Sequence, residues 1–266
     1  MLRPFMLAVV AALVLAAPAA AETQTASLGA VSATFSYTKV DDFQYSGMDV
    51  QITRAGAVAY TGVASGPGCA PPYCAPGGAV GGSALRVADL DGDGEPEVLV
   101  DLYTGGAHCC TIAEIFRWTG STYATTTRDF ADFGYTLNGG TFVTGDVRFA
   151  YSFASFADSA MPVRLLAFKA GTFSDVTRAH PATLRADAAR WLKEYKKRRG
   201  GTRALGLLAA WVADEYRLGA SGHAAADRFL TAELRAGRLR ADQGWPHGKA
   251  YISALKRRLR AWGYGG

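Results

Sequence analysis

Five acidic residues fall within nine consecutive positions of this chain: Asp89, Asp91, Asp93, Glu95 and Glu97. Like charges a few Å apart repel each other and raise each other's pKa, so such a run is costly unless a cation is bound. Ca²⁺ takes about six to eight oxygen ligands from carboxylates, carbonyls and water. Gly92 and Gly94 lie between the acids and allow the positive φ angles that curl a chain round an ion. The segment therefore predicts a calcium-binding loop.

The spacing of the acids assigns a role to each of them. Alternate residues of a calcium loop direct side-chain oxygens inward, and position 7 supplies its backbone carbonyl. Counted from Asp89, the side-chain ligands are Asp89, Asp91 and Asp93. Glu95 then supplies the carbonyl, and Glu97 closes the shell. An acidic turn without an ion is the alternative.

The residues that follow the loop exclude an EF-hand. An EF-hand needs a bidentate Glu at position 12 and a helix after it. Position 12 is Val100, and Val98, Val100 and Leu102 alternate as in a strand that begins at Glu97. We therefore expect the loop to join two strands.

This pattern, Asp-Leu-Asp-Gly-Asp-Gly-x-Pro-Glu followed by a hydrophobic strand, resembles the FG-GAP or VCBS-type repeat, the calcium-loop β-repeat also found in integrin α-subunit propellers. The match covers Leu85 to Tyr123, about one repeat, and residues 103–111 are similar to a segment beside this loop in secreted bacterial proteins of unassigned role. The resemblance implies that calcium is carried by Asp89, Asp91, Asp93, Glu95 and Glu97. Since no second acidic loop occurs and residues 22–175 are too few for a seven-bladed propeller, we expect a smaller β-domain built round one repeat.

The first 21 residues have the pattern of a signal peptide. Arg3 gives a positive start, an apolar run extends from Phe5 to Ala17, and three alanines end at Ala21. Cleavage there leaves Glu22 as the first residue and predicts a periplasmic or secreted protein. An uncleaved anchor is the alternative, but a bilayer span needs about 20 apolar residues, and we expect no later transmembrane segment.

Four cysteines, Cys69, Cys74, Cys109 and Cys110, are expected to form disulfides in that compartment. Local pairing, Cys69 with Cys74 and Cys109 with Cys110, and crossing pairing between the two groups both remain open, because connectivity cannot be derived from sequence. Zinc binding with His108 is disfavoured because Cys-rich zinc sites use two-residue spacers.

The chain divides into two regions with different sequence patterns. Residues 22–178 show period-two alternation and turn signals about every ten residues, which predicts a β-rich domain that carries the calcium loop. Residues 179–266 show four apolar stripes at helical spacing, with Ser221 as the expected N-cap of the third helix. The predicted fold class is α+β: a mainly antiparallel β-domain with one FG-GAP-like loop, then a small helical bundle.

Charge follows the same division. Residues 22–175 hold 8 basic and 16 acidic residues, a net charge of −8, whereas residues 176–266 hold 19 and 7, a net charge of +12. This asymmetry indicates either an anionic partner or docking of the two halves on each other. The dense basic runs, 196–199 and 256–260, are equally compatible with solvated helix faces.

The sequence contains no His-Glu-x-x-His pair, no Gly-x-Ser-x-Gly elbow and no nucleic-acid-binding motif. We therefore expect an exported, calcium-binding, non-catalytic interaction or structural protein of the cell envelope or extracellular space. Its expected partner is a protein, a glycan or an anionic envelope polymer, and not a nucleic acid. The alternative is a metal-dependent extracytoplasmic hydrolase that uses the acidic loop and His108.

Overall fold

The computed structural model describes residues 21–41, 44–69, 74–77, 82–106 and 108–265. The predicted signal peptide, apart from Ala21, lies outside these residues. No helix in the described ranges is both long and apolar enough to cross a membrane.

The first sheet contains four strands, paired in chain order: β1 (Ala21–Leu28), β2 (Val31–Lys39), β3 (Tyr45–Arg54) and β4 (Ala57–Val63). In β2, Val31, Ala33, Phe35 and Tyr37 are buried, whereas the residues between them are more exposed. This alternation confirms the predicted period of two, and it shows that one face of the sheet packs inward.

The second sheet contains five strands: β5 (Ala75–Pro76), β6 (Leu85–Ala88), β7 (Glu97–Tyr103), β8 (Thr111–Trp118) and β9 (Tyr123–Asp129). Both β5 and β6 pair with β7, which pairs on its other side with β8. Val98 and Val100 face the first sheet, whereas Leu99 faces the third. The strand after the acidic loop is thus buried on both faces, at the centre of the β-region.

The third sheet also contains four strands: β10 (Thr136–Asn138), β11 (Thr141–Gly145), β12 (Val163–Lys169) and β13 (Thr172–Asp175). Every pairing among the named strands of the three sheets is antiparallel. Short 3₁₀ turns at 147–149 and 156–158 fill the long connection between β11 and β12.

Four helices follow: α1 (Pro181–Lys197), α2 (Leu205–Arg217), α3 (Ala220–Arg235) and α4 (Gly248–Ala261). The prediction of four helices is confirmed, and with the antiparallel sheets they give an α+β protein. The predicted N-cap of α3 is wrong: Gly219, with φ 92°, occupies that position, and Ser221 lies inside the helix. A φ of this sign is the conformation that glycine adopts without steric cost, so the chain turns there from α2 into α3.

The helical region packs directly on the segments around β12. The Asp187 carboxylate of α1 accepts a hydrogen bond from the Val163 amide (2.9 Å), and Arg217 at the end of α2 donates to the Val163 carbonyl (2.9 Å). The basic runs also take part, since Arg198 lies 3.5 Å from Asp158 and Arg258 donates to the Ser152 carbonyl. Part of the positive charge of the helices therefore serves contacts within the chain.

The four cysteines are paired locally. Cys69 is bonded to Cys74 and Cys109 to Cys110, with Cα–Cα distances of 5.2 and 3.2 Å. Of the two arrangements left open by the sequence, the structure has the local one, in which each disulfide joins two cysteines of the same segment. Both bonded pairs border the core between the first and second sheets.

Candidate metal centre

The acidic loop, residues 89–97, connects β6 to β7, which are adjacent antiparallel strands. Gly92 and Gly94 have φ angles of 74° and 86°, in the left-handed region that glycine adopts freely. The predicted strand exit and the predicted glycine conformations are both confirmed. The backbone thus curls tightly enough for the side chains before and after it to converge.

Three carboxylates converge in this loop. One oxygen from each of Asp89, Asp91 and Glu97 lies within 4.8 Å of the others. The loop amides hold two of them: Gly92 donates to Asp89 Oδ1 (2.8 Å), and Asp93 donates to Asp91 Oδ1 (3.3 Å). Carboxylate oxygens grouped in this way are the ligand type that a hard cation prefers.

Glu97 is the buried member of the group. It has 0% exposure; its Oε2 accepts a hydrogen bond from the Leu90 amide (2.9 Å), whereas its Oε1 has no partner. Burial, together with the charges of Asp91, Asp93 and Asp89, raises the pKa of Glu97 to about 7. A buried acceptor without a donor is rare and costly in folded proteins. A cation bound by the three carboxylates would give the Glu97 carboxylate a partner and offset the repulsion among the acids.

Asp93 and Glu95, also predicted ligands, lie outside the three-carboxylate group. Asp93 Oδ1 accepts a hydrogen bond from the Glu95 amide (2.7 Å). The Glu95 carboxylate pairs through both of its oxygens with the guanidinium of Arg54, which comes from the hairpin between β3 and β4. Since the sequence assigned only the carbonyl of Glu95 to the ion, this pairing is compatible with that role.

The acidic loop also contacts the third sheet. The Ala170 amide, in the turn between β12 and β13, donates to Asp91 Oδ2 (3.3 Å). Gly140, in the turn between β10 and β11, lies so close that a Cβ there would be 2.5 Å from the Leu90 carbonyl oxygen. With Arg54 from the first sheet, these contacts make the loop a junction of all three sheets. Sequence reasoning missed Arg54, Gly140 and Ala170, because their partners are distant in the chain.

His108 does not join the three-carboxylate group. Its ring lies 4.0 Å from that of Phe156 and 6.5 Å from that of Tyr151, centroid to centroid. Within the described ranges, the group of possible metal ligands comprises Asp89, Asp91 and Glu97 alone. His108 is therefore not among the grouped ligands, and the group itself gives no support to the hydrolase alternative.

No protein-family model matches the chain, and no solved structure matches it. A protein of Synechocystis sp. named as a probable thylakoid lumen protein is 30% identical over 158 residues, which cover 51% of this chain and 44% of that protein. The chain thus spans less than half the length of this relative.

Proposed function

We propose that the chain is an exported calcium-binding protein with a non-catalytic, structural or interaction role. The observation that carries the proposal is buried Glu97: its Oε1 has no hydrogen-bond partner, and one of its carboxylate oxygens lies within 4.8 Å of oxygens of Asp89 and Asp91. Calcium accepts irregular shells of carboxylate, carbonyl and water oxygens, whereas Mg²⁺ demands near-ideal octahedral geometry. The short loop offers a shell of the first kind: the grouped carboxylates of Asp89, Asp91 and Glu97, to which the spacing of the acids adds the Asp93 side chain and the Glu95 carbonyl as expected ligands.

The position of the loop suggests what bound calcium would do. The loop contacts the first sheet through Arg54, and the third sheet through Ala170 and Gly140. An ion that neutralises the acids removes their mutual repulsion and so stabilises the loop in the conformation that makes these contacts. We infer a calcium-dependent clamp between the sheets, which keeps the surface that binds a partner rigid.

Export is supported by two independent observations. Residues 1–21 have a signal-peptide pattern, and the Synechocystis relative is named for the lumen of an internal membrane compartment. We propose an extracytoplasmic location, periplasmic or secreted, with a protein, glycan or anionic envelope polymer as partner. N-terminal sequencing of the exported chain should begin at Glu22; an N-terminus at Met1 on the exported chain would contradict cleavage.

Thermal unfolding with Ca²⁺ or with a chelator tests the calcium proposal. Ligand at a hundred times its dissociation constant stabilises the native state by about 2.7 kcal/mol, so millimolar Ca²⁺ should raise the Tm by several degrees. Asp91→Asn and Glu97→Gln should remove this increase. Asp242→Asn, which removes an exposed carboxylate from the helical region, should retain it.

The variant Glu97→Gln distinguishes two possible roles of this acid, that of a metal ligand and a purely structural one. In chelator, this variant should be at least as stable as the wild type, because it no longer buries an acid without a partner. In Ca²⁺ it should be the less stable of the two. Equal unfolding temperatures of the wild type with and without millimolar Ca²⁺ would contradict the proposal.

A further inference from the structure

A cavity of about 270 Å³ opens where α1, α2 and α3 meet. Three arginines line it: Arg178 from the turn before α1, Arg185 from α1, and Arg217 from the end of α2. The hydroxyl-bearing Ser221, near the start of α3, lines it as well. None of these residues belongs to the acidic loop.

Two of the arginines are held in place by the protein itself. Arg217 is only 8% exposed; it donates to the Val163 carbonyl (2.9 Å) and to Asp175 (3.2 Å), and its guanidinium lies 4.2 Å from the centre of the Tyr264 ring. Arg178 donates to the Tyr264 carbonyl (3.0 Å). Guanidinium groups fixed in this way lose little conformational freedom when they bind a ligand.

The acids nearby do not neutralise these arginines. Asp175 is shared between Arg217 and Arg164. Glu215 lines the cavity, and burial raises the pKa of its carboxyl above the usual range, which disfavours its charged form. Among the charged side chains that line the cavity, three arginines face one acid, Glu215, so the lining has a net charge of +2 even when Glu215 is ionised.

Arg178 and Arg185 are the arginines available to a ligand. The guanidinium of Arg178 donates to the neutral carbonyls of Gly263 and Tyr264, and none of the described residues forms an ion pair with it. Arg185 is exposed and makes no ion pair or side-chain hydrogen bond within the described part of the chain. Both side chains can therefore turn donors toward an anion in the cavity.

The helix starts add donors of the same kind. Both α1 and α3 begin at the cavity, and neither has a capping side chain or an acid in its first turn. The first amides of a helix have no partner within the helix, and the helix dipole favours negative charge there. Pro181, the first residue of α1, has no N–H, so α1 supplies one amide fewer than α3. The arginines and the amides thus favour the same ligand chemistry.

We propose that this cavity binds a phosphate-type oxyanion, which is free phosphate, a phosphomonoester or a phospholipid headgroup. Arg185 and Arg178 contact the oxygens directly, Ser221 donates from its hydroxyl, and Arg217 contributes its charge from the cavity wall. Planar guanidinium groups match the paired oxygens of such an anion, which explains why arginines line the cavity. The site does not depend on calcium.

Isothermal titration with inorganic phosphate tests the site. The full chain is first cleared of divalent cations on a chelating resin, so that the acidic loop cannot contribute, and chloride keeps the ionic strength constant. We expect saturable binding of one phosphate per chain. Arg185→Gln should weaken the affinity by about tenfold or more, because it removes a charge-assisted contact. Arg257→Gln removes an exposed arginine of α4 that does not line the cavity, and it should leave the affinity unchanged.

Vesicles of phosphatidic acid in a neutral lipid distinguish the source of the phosphate. If the wild type sediments with these vesicles and Arg185→Gln does not, the ligand is a phospholipid headgroup, even where free phosphate binds weakly. Ser221→Ala, a milder change, should weaken binding by a smaller factor than Arg185→Gln. If neither phosphate nor the vesicles bind, or if Arg185→Gln binds as tightly as the wild type, the site does not exist.

Discussion

Among the residues that the structure describes, two fully buried carboxyl groups have oxygens without hydrogen-bond partners: Glu97 in the acidic loop and Asp214 in α2. At Glu97 the sequence already pointed to the cause, because the alternating acids and glycines are a local pattern. At Asp214 the local pattern gave only part of the cause: residues 205–213 contain no polar side chain, as in a helix enclosed on every side. The sequence did not show that Asp187, which lies on α1, is a neighbour of Asp214.

Asp214 gives a prediction about pH. Burial first, and the charge of Asp187 second, raise the pKa of Asp214 well above its usual range. A raised pKa means that the folded state holds the proton more tightly than the unfolded state does. The stability that this proton contributes is fully present below about pH 4 and is lost as the pH rises through the folded pKa. Asp214→Asn carries no titrating group there. It should unfold at a higher temperature than the wild type at about pH 8, by the equivalent of about 1–3 kcal/mol, and the gain should vanish near pH 4.

Asp187→Asn is the matched control, and its effect should have the opposite sign. The Asp187 carboxylate accepts hydrogen bonds from the Val163 amide (2.9 Å), the Trp191 indole (3.0 Å) and Arg190 (3.0 Å). An amide can accept on one side only, so this variant should be less stable than the wild type at about pH 8. Equal loss in both variants would show that Asp214 is not the strained member of the pair.

Among the elements, strands and helices were predictable because their signals are periodic and local. The alternation of Val98, Val100 and Leu102 gave β7, and the apolar stripes gave all four helices. The start of α3 was missed because a serine is a common N-cap, whereas the chain uses the positive φ of Gly219. Contacts between elements were not predictable, since no local pattern marks Arg54 or Gly140 as a neighbour of the acidic loop.

The turn between β10 and β11 gives a prediction at this scale. Gly140 (φ 77°) and Gly139 (φ 51°) are both in the left-handed region, but only Gly140 approaches the Leu90 carbonyl. Ala at either position should cost about 1 kcal/mol from backbone strain. Gly140→Ala should cost more, measured by urea unfolding, because it also displaces Leu90. It should weaken calcium binding too, since Leu90 lies between Asp89 and Asp91. If Gly139→Ala has the same two effects, the close approach is not what positions the loop.

At the scale of the whole molecule, the sequence showed two regions of opposite charge but not how they meet. Some of the contacts that join them connect residues more than a hundred positions apart. Tyr264 is the clearest: it is buried and donates to Asp146 (2.7 Å), 118 positions earlier in the chain. Burial works to raise the pKa of Asp146, but hydrogen bonds from Arg148 and Tyr264 outweigh it and hold that pKa below its usual range. The end of the chain is thus tied to an ionised carboxylate of the β-region.

Tyr264→Phe tests whether the two regions unfold together. The change removes one hydrogen bond to a charged acceptor, which is worth about 1.5–3 kcal/mol. If the molecule is one cooperative unit, the free energy of unfolding should fall by the same amount in two measurements. One is urea unfolding followed by the far-ultraviolet helix signal, and the other is hydrogen exchange of amides in β3 and β8. Tyr151→Phe removes a hydroxyl from an exposed ring and should shift neither probe. A loss confined to the helix signal, with strand exchange unchanged, would mean that the helices unfold independently. In that case calcium at the acidic loop would leave their stability unaffected.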